Sequence, residues 1–386
     1  MSTYDDASLI YYPSGYKAGK AYSLKPTDGS GDLTFTRAST ATRVNESGLI
    51  ESVATGIPRI DYTGGGCGKL LLEPQRTNSQ IYSQDFTNAT YIKDAGITVT
   101  STNNTSPSGA LDATKISVTN SGRIYSNLAS NTWCTSVFLK AGTFAYFELA
   151  GKKIDLNLGT MVGGTIEDYG NGWYRVTGIA TTTRPFQIIA YPNSSYTSHT
   201  TSGDYFIWGV QSELSATYPT SYIPTLGTAV TRVADSASKS GISSLINSEE
   251  GVLYVEMAAL ADDGTTKVIC LNSGSFNNRI QINSTAISNQ IQGYAQSNGT
   301  IYFNAVTILS DITSLNKIAV KWKVNDFALW INGVEVATDA SGQTPIGLSV
   351  LDFNIVNAAP FFGNVQSVMV FPSALSDTDL AALTTL

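Results

Sequence analysis

The sequence predicts an all-β protein, with two antiparallel β-sandwich domains preceded by an irregular, β-rich N-terminal segment. Three observations carry that expectation. Charged residues make up only 14% of the chain, against a usual quarter. Ser, Thr, Asn, Gly and 20 Tyr fill the shortfall, and Thr, Tyr, Val and Ile suit a pleated, half-buried surface. From residue 78 onward the apolar runs are short and are separated by Gly, Asn or Pro, the spacing of an antiparallel sandwich. The pairs Asn171-Gly172 and Asn332-Gly333 stand between strand-like runs, the strongest short hairpin signal. With 42% hydrophobic residues the chain is not disordered, and 386 residues exceed one ordinary core.

Residues 1–77 read as short strands among many turns. "ATRVNESGLIESVA" is a hairpin with turn formers Asn45 to Gly48 at its tip, and "GIPRIDYTGGGCG" is a short strand running into a glycine-rich loop. Of nine arginines in the chain, four (Arg37, Arg43, Arg59 and Arg76) fall here, beside Glu51, Asp61 and Glu73. Because the acids nearly match the bases, the expectation is a set of structural Arg–carboxylate ties rather than an anion site. The segment has too few apolar runs to offset an ordering cost of about 1–2 kcal/mol per residue. It should therefore be ordered by packing on the sandwich that follows or on neighbouring subunits.

Residues 78–225 form the first sandwich, with strands in "WCTSVFLKAG", "GWYRVTGIATTT", "PFQIIAYP" and "DYFIWGVQSEL". After the Asn171-Gly172 turn, alternation puts Trp173, Arg175 and Thr177 on one face and Tyr174 and Val176 on the other. Residues 226–243 are small and polar and read as a connector. Residues 244–386 form the second sandwich. There Ile318, Val320, Trp322 and Val324 alternate with Lys317, Ala319, Lys321 and Lys323, giving an apolar and a mostly cationic face. Trp322 should be core and Trp330 should sit on the other face of its strand. Ser376 should cap a short terminal helix, with Asp377 and Asp379 at its positive end.

Several functions are excluded or disfavoured. A net charge of −7 and the lack of basic runs argue against nucleic acid. Cys67, Cys134 and Cys270 are widely spaced and suggest neither disulfides nor a zinc site. The N-terminus lacks the pattern of a signal peptide, and no stretch suits membrane insertion, so synthesis in a cytosol without ordinary secretion is expected. His199, alone in a loop, reads as a solvated residue, and no nucleophile elbow or phosphate-cradling loop accompanies it. The acid pairs Glu167-Asp168, Asp262-Asp263, Glu249-Glu250 and Glu148 with Asp155 read as solvated turn acids rather than a glycosidase pair. No cofactor is expected; a structural calcium in either sandwich is the one ion left open, with no ligand assigned. Tyrosines such as Tyr11, Tyr12 and Tyr16 suit sugar stacking or a subunit interface.

"LTFTRASTATRVNESGLIESVATGIPRIDY" with "LLLEPQRTN" resembles a segment recurrent in virion proteins of tailed bacteriophages, especially head-spike, head-fibre and tail-fibre proteins. "GNGWYRV", "GDYFIWGVQSEL" and "YPTSYIPTLGTAVTRVADS" resemble the carbohydrate-module-like jelly roll that follows in such proteins. "VKWKVNDFALWINGVEVAT" and "GNVQSVMVFPSALSDTDLAAL" resemble a laminin-G/concanavalin-A-like lectin domain. The resemblance implies a non-enzymatic, homotrimeric head fibre or spike on the virion surface, assembled in the host cytoplasm. It would contact capsid or other virion proteins through residues 1–77 and adhere to host or environmental glycans through a distal C-terminal domain. Its rivals are a polysaccharide depolymerase and a decoration protein that binds no sugar. The resemblance also implies that the two Thr-Arg segments, near residues 36 and 231, bracket the jelly roll and close it like a clasp.

Overall fold

The short β-prone runs become strands along nearly the whole chain. A computed structural model describes residues 3–355 and 358–386 and is built almost wholly of antiparallel strands. The predicted fold class holds. Asn332 (φ 48°) and Gly333 (φ 84°) both take the left-handed backbone that a two-residue hairpin requires, so Phe327–Ile331 and Val334–Asp339 pair directly.

The jelly roll consists of two facing sheets. One contains Ile97–Asn104, Ala113–Val118, Gly203–Leu214, Asn131–Ala141, Trp173–Thr182 and Gly164–Asp168. The other contains Lys152–Asp155, Tyr146–Leu149, Gln187–Tyr191 and Arg123–Tyr125. Val137, Leu139, Val176 and Ile207 of the first meet Ile124, Phe147, Ile154 and Ile188 of the second in a closed core. The alternation along Trp173–Thr182 is as expected: Val176 joins this core while Trp173 faces away from it.

The terminal sandwich is assembled differently. One part of its sheet runs from Thr300–Ile308 to Val350–Asp352, and another from Gly363–Phe371 to Val334–Asp339. Four strands from elsewhere join them: Leu9–Lys17, Lys20–Lys25 and Leu33–Thr36 from the N-terminal segment, and Ser236–Ser240 from the connector. Leu9 pairs with Val370, Phe35 with Ala237, and Ser238 with Asp352. Leu9, Tyr11, Leu33 and Phe35 lie in the same core as Leu253, Ile318 and Trp322. Each such burial is worth about 1.5–3 kcal/mol, so the segment is ordered by packing into the terminal sandwich.

The sheet therefore does not follow the division into 1–77, 78–225, 226–243 and 244–386. The first and last segments share one sheet, and the jelly roll is a loop-out between them. With Leu9 beside Val370, the N-terminal strands and the terminal sandwich cannot occupy opposite ends of a projection, as the sequence-based polarity assumed. Alternation within one strand cannot reveal a neighbour more than 300 residues away.

Trp322 is core and Trp330 lies on the opposite face, as expected. That opposite face is not a solvated cationic surface. The helix Asp377–Thr384 covers it, with Leu380 and Leu383 against Ala319, Ala328 and Trp330. Lys321 is buried there, 2.7 Å from Asp326 and 3.6 Å from Asp377. Val324, beyond the strand end at Lys323, is exposed rather than core. Ser376 caps the helix by accepting a hydrogen bond from the Asp379 backbone N–H.

Candidate functional site

The N-terminal arginines and acids converge where three parts of the chain meet. Arg37 pairs with Asp235 at 3.1 Å. Arg59 lies between Asp235 and Glu73, and Arg232 reaches Glu73 at 2.7 Å. All five side chains are buried. The ingoing strand Arg76–Asn78 and the outgoing strand Val230–Arg232 lie side by side, with Arg76 opposite Arg232. The two Thr-Arg segments themselves meet one register further on, where Thr36 pairs with Ser236 and Arg37 with Asp235.

Its electrostatics explain why it persists. Burial alone would raise the Glu73 carboxyl, but Arg232, Arg59 and two hydrogen bonds from Ser221 outweigh it and bring it from 4.5 to about 2. Burial, with repulsion among the three guanidinium groups, lowers Arg37 and Arg232, whereas Arg59 between two carboxylates is raised. Breaking one member of such a buried group costs about 3–5 kcal/mol.

The other expected ties are less uniform. Arg43 meets Glu51 at 2.7 Å on a more exposed hairpin. Asp61 accepts the backbone N–H groups of Val44 and Thr63, so it shapes a turn rather than pairing with arginine. Arg76 lies over the Tyr218 ring, with no carboxylate within ion-pair distance among the described residues. The partner missed by sequence was Asp235, which lies in the connector, outside the window where the acids and bases were matched.

Beside this ionic knot a cleft of about 690 Å³ opens between the N-terminal segment and the jelly roll. One wall is the hairpin tip Asn45 to Gly48, with Tyr62 and the turn Gly64 to Gly66; the other is Glu167 to Asn171. The three glycines have φ of 79°, 75° and 77°, a left-handed run that side chains would resist. Glu46, Glu167 and Asp168 line the cleft, and no lysine or arginine does. A smaller cavity of about 200 Å³ adjoins it and shares Val44, Thr63, Glu167 and Tyr169 with it. Arg175 lines this inner space. Burial pushes the Tyr169 phenol up to about 12, so it remains a neutral hydrogen-bond donor.

Among the acid pairs weighed from sequence, Glu167-Asp168 is the one that lines this cleft. Asp263 is tied to Lys267, Glu250 to Lys323, and Asp262 accepts from Ser288 and Asn289. Among the described residues no group of three or more His, Cys, Asp or Glu could hold a metal ion. His199 is not freely solvated: its Nε2 lies 2.9 Å from the Ala190 carbonyl and its ring packs near Phe144 and Tyr191.

No protein-family model and no curated protein matches the sequence. Solved structures with partial likeness include the CBM40 of the Ruminococcus gnavus IT-sialidase, 18% identical, covering 36% of this chain and 84% of that one at a TM-score of 0.31. Domain 4 of AbnA, a GH43 extracellular arabinanase from Geobacillus stearothermophilus in complex with arabinotriose, is 12% identical. It covers 39% of this chain and 73% of that one at a TM-score of 0.34. The NanB sialidase from Streptococcus pneumoniae is 15% identical, covering 37% of this chain and 25% of that one at a TM-score of 0.32. Each likeness spans little more than a third of this chain, and the all-β architecture rests on the strand pairing itself.

Proposed function

We propose that this protein is a non-enzymatic glycan-adhesion protein and that the cleft between the N-terminal segment and the jelly roll receives the sugar. The observation that carries this reading is the composition of the cleft: two half-buried tyrosines, Tyr62 and Tyr169, beside carboxylates and the amides of Asn45 and Asn171. Aromatic rings offer an apolar face to a sugar ring, while carboxylates and amides meet its hydroxyls. A pocket of this size suits one or a few residues of a polysaccharide. Single hydroxyl contacts contribute about 1 kcal/mol net, so adhesion would rely on several copies acting together.

The setting we infer is the surface of a tailed-bacteriophage virion, with the protein as a homotrimeric head fibre or spike bound to capsid or other virion proteins. That part is supported by the sequence resemblance alone. A hydrolytic reading has one observation in its favour, since Glu46 and Glu167 line the same cleft from two walls.

One experiment separates these readings. The full chain is titrated with polysaccharide fragments while released reducing ends are measured. Saturable binding that Tyr169→Ala weakens, without new reducing ends, is the expected result. Release of reducing ends that stops in Glu167→Gln would make the protein a depolymerase, and no binding at all would favour a purely structural role.

A further inference from the structure

We propose that the cleft selects uncharged saccharides, with Arg175 and Glu167 as a donor–acceptor pair on neighbouring strands and the acidic mouth excluding polyanions. This rests on the glycan reading above and goes beyond it by naming the class of sugar. Arg175 is 4% exposed, yet no carboxylate lies within ion-pair distance of it among the described residues. Its Nη2 donates to Ser136 Oγ and to the Thr220 carbonyl, and its Nε has no hydrogen-bond partner. Burial alone would lower its pKa, but Tyr169 and Glu167 beside it outweigh burial and raise it. Its guanidinium lies 5.5 Å over the Phe138 ring, and the charge is thus held in place where it lines the inner cavity.

Glu167 is the register partner of Arg175 on the adjacent strand. The two side chains therefore share one face, an acceptor beside a donor, which matches adjacent hydroxyls of a pyranose ring. The other charges of the inner cavity are already committed. Arg43 is held by Glu51, Asp61 by backbone N–H groups, and Glu73 by Arg59 and Arg232.

The sign of the mouth decides the ligand class. Glu46, Glu167 and Asp168 are all exposed, and no basic residue lines the outer cleft. A uronate, sialate or phosphate-bearing polymer would approach like charges before reaching Arg175. An uncharged sugar meets no such barrier. Long-range repulsion of this kind is screened by salt, so exclusion should weaken as ionic strength rises.

The test uses the full chain with dextran, mannan and galactan fragments as neutral probes and polygalacturonate and polysialic acid as acidic ones. Wild type should bind at least one neutral probe, and the acidic probes at least tenfold more weakly at low salt. Glu167→Gln should lower neutral affinity about fivefold, and Asp168→Asn should narrow the gap between classes. Arg175→Lys keeps a charge but loses the planar fork, and should weaken neutral binding in a protein that still melts cooperatively. Acidic probes binding as tightly as neutral ones would overturn the selectivity while leaving the glycan site standing. Failure of every probe to bind would overturn the glycan reading and the selectivity with it.

Discussion

The jelly roll and the terminal sandwich are both antiparallel β structures, but they are completed in different ways. The jelly roll draws its core from residues 86 to 210, all within one stretch. The terminal sandwich takes core residues from Leu9 to Val370, and its sheet depends on strands from the other end of the chain. The difference teaches that a segment with weak local hydrophobicity can still hold a structural middle position in a distant sheet. The cleft lies where the jelly roll meets the N-terminal hairpin and the glycine turn that follows it.

The largest expected effect comes from removing residues 1–36. That deletion takes away the strands between Ser236–Ser240 and Gly363–Phe371, and it should abolish cooperative melting of the terminal sandwich. The jelly-roll core should keep slow amide exchange, read by hydrogen exchange. Equal loss in both regions would dissolve the contrast. Deleting residues 244–386 should similarly unpair the N-terminal strands, contrary to a terminal domain that can be shed cleanly.

Next in size are single substitutions in the two supports of the terminal sandwich. Trp322→Ala should cost about 3–5 kcal/mol by leaving a cavity, measured by chemical denaturation. Asp235→Ala should cost a comparable amount, because it strands Arg37 and Arg59 in a buried setting. A near-neutral Asp235→Ala would mean that water or a rearranged Glu73 satisfies both guanidinium groups.

A smaller effect is expected from acid. Glu73 has a folded pKa near 2, below its ordinary 4.5, so its contribution is present above pH 4.5. It is lost as pH falls through the folded value, since protonation then favours the unfolded chain. Stability measured between pH 5 and pH 2 should fall, and Glu73→Gln should flatten that part of the slope. An unchanged slope in the variant would assign the acid sensitivity to other carboxylates. Smallest of all, Ser376→Ala should cost about 1 kcal/mol through loss of the helix cap, and Arg43→Ala less, because its tie to Glu51 is partly exposed.

Features set by neighbouring residues were legible in the sequence. The Asn332-Gly333 turn, the opposite faces of Trp322 and Trp330 and the Ser376 cap follow from spacing within a few positions. The closeness of the two Thr-Arg segments came from the family resemblance, and the structure adds the partner that explains it, Asp235. Features that join distant segments were not legible. Nothing local to "LIYYPSGYK" shows that Leu9 will pair with Val370, and nothing near Lys321 shows that a helix will cover it. The cleft was hidden for the same reason, since Tyr62 and Tyr169 come from segments about 100 residues apart in sequence. Glu167 and Asp168 were noticed, but spacing could not place Glu46 across from them.

The central functional claim is that sugar binds where the N-terminal segment meets the jelly roll. Hydrogen exchange on the full chain, with and without a saturating neutral oligosaccharide, tests it most directly. The expected result is added protection at residues 45–48, 64–66 and 168–171, on both walls of the cleft. Protection confined to the terminal sandwich, at loops such as 272–278 and 339–346, would contradict it and return the adhesive surface to the C-terminal domain.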